Sequence, residues 1–305
     1  MRDTTLNQAM TFPPEAMESP GCDLCGSLEA RPFKRLLGYA FVRCRGCGLV
    51  AMRPRPRPEA LVGVYDDDYF ESRDPTRGYA IYRSDARSVR LKAERLLDVV
   101  ERQRQPPGRL LDVGCALGIQ LEVARERGWE IAGVEASPQA AADAGRRLGV
   151  SIPSSLAAAG YAPASFDVVT LWDVIEHLPQ VCQVMEQVRG LLRPAGLVSV
   201  VTPDLGSLAA RVLGSRWEEM RKMPEHILFF DRRTVGDLLR RTGFEPVAWG
   251  TVGKLMTIDE VLERVEHTLP WLWRILRRGA RRVGISSRVY HLDPRWKMHV
   301  VGRAV

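Results

Sequence analysis

One stretch of the chain limits its fold more than any other. Residues 110–113 read as a buried strand, and Leu111-Asp112-Val113-Gly114-Cys115-Ala116-Leu117-Gly118 carries that strand into a glycine turn. Residues 119–127 then read as a helix and 130–134 as a second strand ending at Glu135, a β-α-β unit. Glycines at such a turn let backbone approach a ligand closely, and an acid about twenty residues on can accept hydrogen bonds from both hydroxyls of a ribose. Together these parts specify an adenosine-type ligand. A nicotinamide dinucleotide fits less well, because the turn is not G-x-G-x-x-G and Asp112 stands where pyrophosphate would be repelled.

The alternation continues. Residues 138–148 and 181–192 have helical patterning, Pro194 and Gly196 end the second helix, and 167–171 and 197–202 read as further strands. Asp231 is placed to cap a helix running to Thr242, with Gly243 as its stop. Residues 245–249 and 298–303 look like closing strands around a long, largely helical insertion. Upstream, Val89, Ala93, Leu96, Leu97 and Val100 recur at helical spacing within 84–101, before Gln105-Pro106-Pro107-Gly108 stops the helix. The fold class is α/β.

A chain of 305 residues, 45% apolar, suffices for one sizeable core and an appendage. No apolar run approaches the roughly 20 residues that span a bilayer, and the polar start lacks a secretory h-region, so the expectation is a soluble cytoplasmic protein. The formal charge of +7 is concentrated late, Asp293 being the only carboxylate between Arg274 and Arg303. A nucleic-acid footprint over the whole surface is therefore not implied.

Four of the six cysteines form two pairs, Cys22-x-x-Cys25 and Cys44-x-x-Cys47, with eighteen residues between them. This is the four-thiolate spacing of a structural zinc ribbon, in which each knuckle brings two sulfurs to one tetrahedral ion at about 2.3 Å. Gly26 and Gly48 permit the tight turns, and four thiolates leave no position for chemistry. The ribbon also admits a reading as a nucleic-acid grip, since Arg43, Arg45, Arg53, Arg55 and Arg57 surround it. Arg53-Pro54-Arg55-Pro56-Arg57-Pro58 is a stiff linker, excluded from helix and inner strand. Cys115 and Cys182 read as small apolar fillers.

LDVGCALG, GVEAS, SFDVVTLWDVIEHL and LLRPAGLVSVVTP, in this order, resemble the motifs of class I S-adenosylmethionine-dependent methyltransferases over about 110–244. The resemblance implies a Rossmann-like methyltransferase sheet with the helical insertion before its last strand. It also implies S-adenosylmethionine as cofactor, its methionine end held by Asp112, Gly114 and Gly118, its ribose by Glu135, and its sulfonium side by Trp172 and Asp173. Cys115 and Ala136 belong to the same cofactor-binding set. Ala116 stands where the family often has glycine.

Methyl transfer to a hydroxyl or carbon acid calls for a base near the carboxyl ends of the strands. His177, in Asp173-Val174-Ile175-Glu176-His177, and His226, in Met223-Pro224-Glu225-His226-Ile227, follow suitable strands, and the chain has only five histidines. His226 with Glu225 is the first choice for the base, and a structural histidine is the alternative at each position. The ribbon, CGLV, the proline linker, YDDDYF and PEHILFFD together resemble sugar C-methyltransferases of antibiotic pathways. That likeness implies a base role for Glu225 and His226, with His177 and Tyr79 in the pocket. Those enzymes carry a further large carboxyl-terminal domain with no counterpart in this sequence. Asp173, Glu176 and His177 also resemble the acidic run of quinone-pathway O-methyltransferases, in which a divalent cation such as Mg2+ can sit near the acceptor; at helical spacing the three would share one face.

After Pro270, Trp271, Leu272, Ile275 and Leu276 form an apolar stripe beside Arg274, Arg277, Arg278, Arg281 and Arg282. A surface helix, a lid over a lipophilic or anionic acceptor, and contact with an anionic membrane are the three readings. The expected organisation is a flexible leader at 1–20, the ribbon and linker at 21–58, a helical segment over the active site at 59–108, and the cofactor-binding core at 109–305 with its insertion at about 254–295. The expected activity is methyl transfer to a small-molecule acceptor, a secondary metabolite or sugar. An RNA methyltransferase and a non-catalytic cofactor-binding subunit are the alternatives.

Overall fold

The computed structural model describes residues 12–62, 86–257, 289–293 and 295–305. Tyr79 and the basic stretch 271–282 lie outside the described residues.

The amino-terminal part consists of β1 (Met17–Glu18), β2 (Ala30–Leu36), β3 (Tyr39–Cys44), β4 (Val50–Met52), β5 (Arg55–Pro56) and the short helix α1 (Pro58–Val62). β2, β3 and β4 form an antiparallel sheet. The flexible leader expected to residue 20 ends earlier: Pro14–Ala16 form a 3-10 turn, and β1 pairs with β5 in the proline-rich stretch. Arg55 fixes that pairing. It is buried, with ion pairs to Glu18 at 3.0 Å and Asp23 at 2.8 Å.

The central part runs α2 (Ala86–Glu101), β6 (Gly108–Val113), α3 (Ile119–Glu126), β7 (Trp129–Val134), α4 (Pro138–Leu148), α5 (Leu156–Ala159), β8 (Phe166–Trp172), α6 (Val181–Leu191) and β9 (Leu192–Pro203). It continues through α7 (Leu208–Leu213), β10 (Leu228–Phe229), α8 (Arg232–Arg241), β11 (Phe244–Thr251), β12 (Lys254–Thr257), β13 (Val289–Leu292) and β14 (Lys297–Ala304). Local chemistry sets the helix ends. Ser137 caps α4 ahead of Pro138, and Gly149 closes it at φ +66°; Asp231 and Thr234 form a reciprocal capping box at α8. β8 is buried along its whole length, as befits a parallel strand covered on both faces.

Among the described residues the main sheet has six strands in the order β11-β14-β9-β8-β6-β7, all running in one direction except β14, which is antiparallel to both its neighbours. Strand order reverses between β6 and β8, so the ligand crevice of such a sheet lies outside the carboxyl ends of these strands. The insertion expected to be largely helical begins and ends as strands: β12 and β13 form an antiparallel ladder from Lys254↔Leu292 to Thr257↔Val289. One face of the main sheet packs on α2 and α3. The other shares a continuous apolar core with the ribbon, in which Phe41, Leu49 and Met52 join Val181, Met185, Phe230 and Val235. The ribbon is built into the catalytic core rather than tethered beside it.

Candidate active site

The carboxyl ends of β6, β7 and β8 bring the turn and the acid together. Gly114 and Gly118 have φ +74° and +71°, and a Cβ at either would meet Val174 or Leu148 at 2.8 or 2.7 Å, so only glycine fits. Ala116 adopts φ +46° at the position where glycine is common, so the loop keeps the left-handed turn with a side chain in place. Asp112 is buried, accepts a 2.6 Å bond from Thr170, and has its second oxygen without a partner. Burial pushes its carboxyl up to about 7. Glu135 receives the N–H groups of Ala116 at 2.8 Å and Ser137 at 2.9 Å, which aims its carboxylate over the turn.

A cavity of about 550 Å3 opens beside Glu135 along α4, lined also by Pro138, Ala141, Ala142, Arg146 and Ile152. A buried acid with one oxygen unpartnered, two glycines that tolerate no Cβ and an oriented carboxylate fit a cationic adenosine ligand. Cys115 contributes backbone only, its side chain being fully buried against Gly133. Ala136 is exposed at the rim. Trp172 points into the sheet core, where its indole N–H donates to Ser199 at 2.9 Å.

Asp173 has a left-handed backbone, φ +60°, directly after β8. Its oxygens accept from Lys92 at 2.6 Å and Lys297 at 2.8 Å. Burial opposes ionisation there, yet the two ammonium groups hold the carboxyl far below the usual range. The shared helical face expected for Asp173, Glu176 and His177 does not form. The left-handed residue breaks the helical repeat, 175–177 form a single 3-10 turn, and two lysines occupy the Asp173 oxygens. The group whose ligand atoms all approach within 4.8 Å is instead Glu176, His177 and His226. Lys222 and Lys297, close enough to depress the pKa of both histidines, make that cluster unfavourable for a cation.

The two histidines stand edge to face, ring centroids 4.7 Å apart. His177 Nδ1 lies 3.0 Å from the Glu225 carbonyl oxygen; as donor there, it leaves Nε2 as the basic nitrogen. Burial pushes His177 down to about 4 and His226 well below its ordinary 6.5, so both rings are neutral at pH 7. His226 Nδ1 is buried without a hydrogen-bond partner, and the carboxylate nearest to it, at 4.0 Å, belongs to Glu219. The sequence pairs His226 with adjacent Glu225; in the fold, Glu225 gives its carbonyl to His177. Glu219 also meets Lys222 at 2.8 Å and Lys297 at 3.5 Å, and Glu176 accepts from Thr202 at 2.9 Å. Lys92, Glu219, Lys222 and Lys297 carry no local motif, and sequence reasoning missed them.

The cysteine turns repeat one pattern. The Cys22 carbonyl accepts from Gly26 N–H at 2.7 Å and the Cys44 carbonyl from Gly48 N–H at 3.0 Å, while the two cysteine N–H groups donate to Ser27 and Leu49. All four sulfurs lie within 4.8 Å of one another, with closest pairs Cys22–Cys47 at 3.4 Å and Cys25–Cys44 at 3.5 Å. These spacings are too long for disulfides and close to the edge of a tetrahedral thiolate site. Of the five arginines offered as a nucleic-acid grip, four are engaged within the fold. Arg43 donates to the Gly48 carbonyl, Arg53 to Leu28, Arg57 to Glu15, and Arg55 holds its two acids.

This crevice and sheet define a class. A methyltransferase domain family model matches residues 82–248, more than half of the chain. Over 187 residues the chain is 32% identical to the ubiquinone biosynthesis O-methyltransferase of Cereibacter sphaeroides strain KD131, covering 52% of this chain and 74% of that one. The protein of that name from Idiomarina loihiensis is 32% identical over 97 residues, 30% of this chain and 40% of its own length. The chain thus spans between two fifths and three quarters of these relatives. Among solved structures, an S-adenosylmethionine-dependent methyltransferase from Archaeoglobus fulgidus superposes with TM-score 0.51 at 16% identity, over 74% of this chain and 99% of that one. The Burkholderia thailandensis 1,6-didemethyltoxoflavin-N1-methyltransferase, solved with S-adenosylhomocysteine, gives TM-score 0.51 at 17% identity, over 90% and 100%. Both share the fold. The chain belongs to the methyltransferase domain family, in its class I, S-adenosylmethionine-dependent form.

Proposed function

We propose that this methyltransferase acts on an oxygen or activated carbon of a small acceptor, with His226 taking the acceptor's proton, and that its four ribbon cysteines hold a structural zinc ion. The observation that carries the reading is His226 itself: buried, neutral at pH 7, with Nδ1 unpartnered beside Glu219 and its ring against His177 in the turn that follows β8. S-adenosylmethionine supplies an electrophilic methyl group on a sulfonium. The chain's residues do the rest. Asp112 and Glu135 hold the cofactor ends, and fixed geometry contributes up to about 7–11 kcal/mol in favourable cases. His226 as general base adds about 10²–10⁴-fold, and Glu219 stabilises the imidazolium as the proton arrives.

Lys92, Lys222 and Lys297 outnumber the ionised acids Asp173 and Glu219, and burial beside Asp173 pushes Glu176 up to about 8. The floor of the site therefore favours an acceptor that becomes anionic as its proton leaves. The names of the quinone-pathway relatives agree with an oxygen acceptor. The internal use of four ribbon arginines weighs against an RNA acceptor. Among the described residues no helix is long and apolar enough to cross a membrane, in keeping with a cytoplasmic enzyme.

The test is incubation with methyl-labelled cofactor and, separately, a small-molecule extract and total RNA, using wild type and His226→Ala. Label in small molecules, lost in the variant, is the expected result. Label confined to RNA, or transfer unaffected by the substitution, contradicts the reading.

A further inference from the structure

Ile227, the residue after His226, joins two parts of the molecule. Its carbonyl oxygen accepts from Met52 N–H in the ribbon at 2.8 Å, and its own N–H donates to the Glu176 carbonyl at 3.0 Å, in the turn that carries His177. β10 continues this splice as the outer strand of the ribbon sheet, with Leu228 paired to Ala51 and Phe229 to Val50. The Phe229 ring stands edge-on to Phe41 at 5.4 Å and lies 6.2 Å from the His226 ring. Around the knuckles, Arg233 donates to the Cys47 carbonyl, and the Gln180 N–H reaches Asp23 at 3.3 Å.

A two-residue strand has no stability of its own, and β10 receives its ladder from β4. We propose that the cysteine ribbon is the positioning device for the catalytic base: through Met52, Phe41 and β4 it fixes where His226 stands against His177 and Glu219. The inference rests on the readings of His226 as base and of the cysteines as zinc ligands. Its physical ground is that metal binding is coupled to folding: four thiolates drawn to one ion fix the knuckle that joins β3 to β4, and β4 in turn fixes β10. Loosening the ribbon frees His226, while the glycine turn and Glu135 stay held by the pairing of β6 with β7 and by the Ala116 N–H.

Hydrogen exchange on the full-length, zinc-loaded protein tests this. Chelation of zinc is expected to speed exchange of amides 225–230 by about 100-fold or more together with those of β3 and β4. The amides of β6 and the affinity for S-adenosylhomocysteine by calorimetry should change less than about 3-fold. If β3 and β4 open while 225–230 stay protected, the inference is wrong.

Phe41→Ala with zinc bound is the second arm, and it decides the matter should chelation unfold the whole chain. Exchange at 225–230 should rise about 10-fold, and the NMR titration midpoint of His226 should move up toward 6.5 as water reaches the ring. Leu110→Ala, a core truncation away from the splice, should move neither. An unaltered midpoint and exchange in Phe41→Ala, or equal changes in both variants, overturns the proposal. Metal analysis tests the zinc reading separately: fewer than one zinc per chain removes that reading and leaves the Phe41→Ala arm to judge the ribbon.

Discussion

His226 Nδ1 faces a carboxylate oxygen of Glu219 across 4.0 Å, at a depth where both side chains are almost free of solvent. Burial works against ionisation of Glu219, yet Lys222, Lys297 and His226 hold its carboxyl well below the usual range. A fixed negative charge at this distance favours the protonated ring. Glu219→Gln should therefore lower the His226 titration midpoint further and slow base-dependent methyl transfer by about 10–100-fold. Affinity for S-adenosylhomocysteine should stay within about 3-fold. NMR titration and single-turnover transfer read the two effects, and a midpoint that rises contradicts the assignment.

Asp112 gives a pH-dependent prediction. Its folded pKa, about 7, lies above the ordinary 3.8, so between about pH 4 and 7 the native state binds more protons than the unfolded one. Stability from this group is then present at acid pH and lost as pH rises. Asp112→Asn removes the effect: the variant's stability relative to wild type should increase from pH 4 to pH 7 and level off above, by about 1–3 kcal/mol. Urea unfolding at several pH values measures it. The same variant should lose cofactor affinity, because a buried ionisable acid is kept here for a cationic ligand. A stability difference flat with pH would show that Asp112 titrates normally.

Much of the fold was legible because the relevant chemistry is local. The glycine turn, the Pro194 and Gly196 stop, Asp231 as a cap with Gly243 as the stop, and the apolar strand patterns each fix an element from a few neighbouring residues. The cysteine pairs fixed the knuckles in the same way. Contacts made at long range were not legible. Lys297 reaches Asp173 across 124 positions, and neither lysine nor Glu219 carries a pattern that marks it. The helical face drawn for Asp173, Glu176 and His177 failed because spacing cannot reveal a left-handed residue. Nor does the sequence of β10 announce that its hydrogen-bond partner is the ribbon.

Ser199 links two buried polar groups, accepting from the Trp172 indole at 2.9 Å and lying 2.8 Å from His299 Nε2. Burial pushes His299 down to about 4, so its ring is neutral at pH 7 and shares a hydrogen bond with the serine hydroxyl. Ser199→Ala strands both partners in the sheet and should cost about 2–4 kcal/mol. Chemical denaturation checks this. A loss within experimental error of zero would mean that the two rings find other partners.

Calorimetric titration of S-adenosylhomocysteine into the folded protein and into Glu135→Ala tests the central claim most directly. One site per chain is expected in the wild type, weakened by about 10²-fold in the variant, since a carboxylate bonded to two hydroxyls is worth roughly 1.5–3 kcal/mol per bond. No binding to well-folded wild type, or equal binding by both proteins, would contradict a cofactor site built from this turn and this acid.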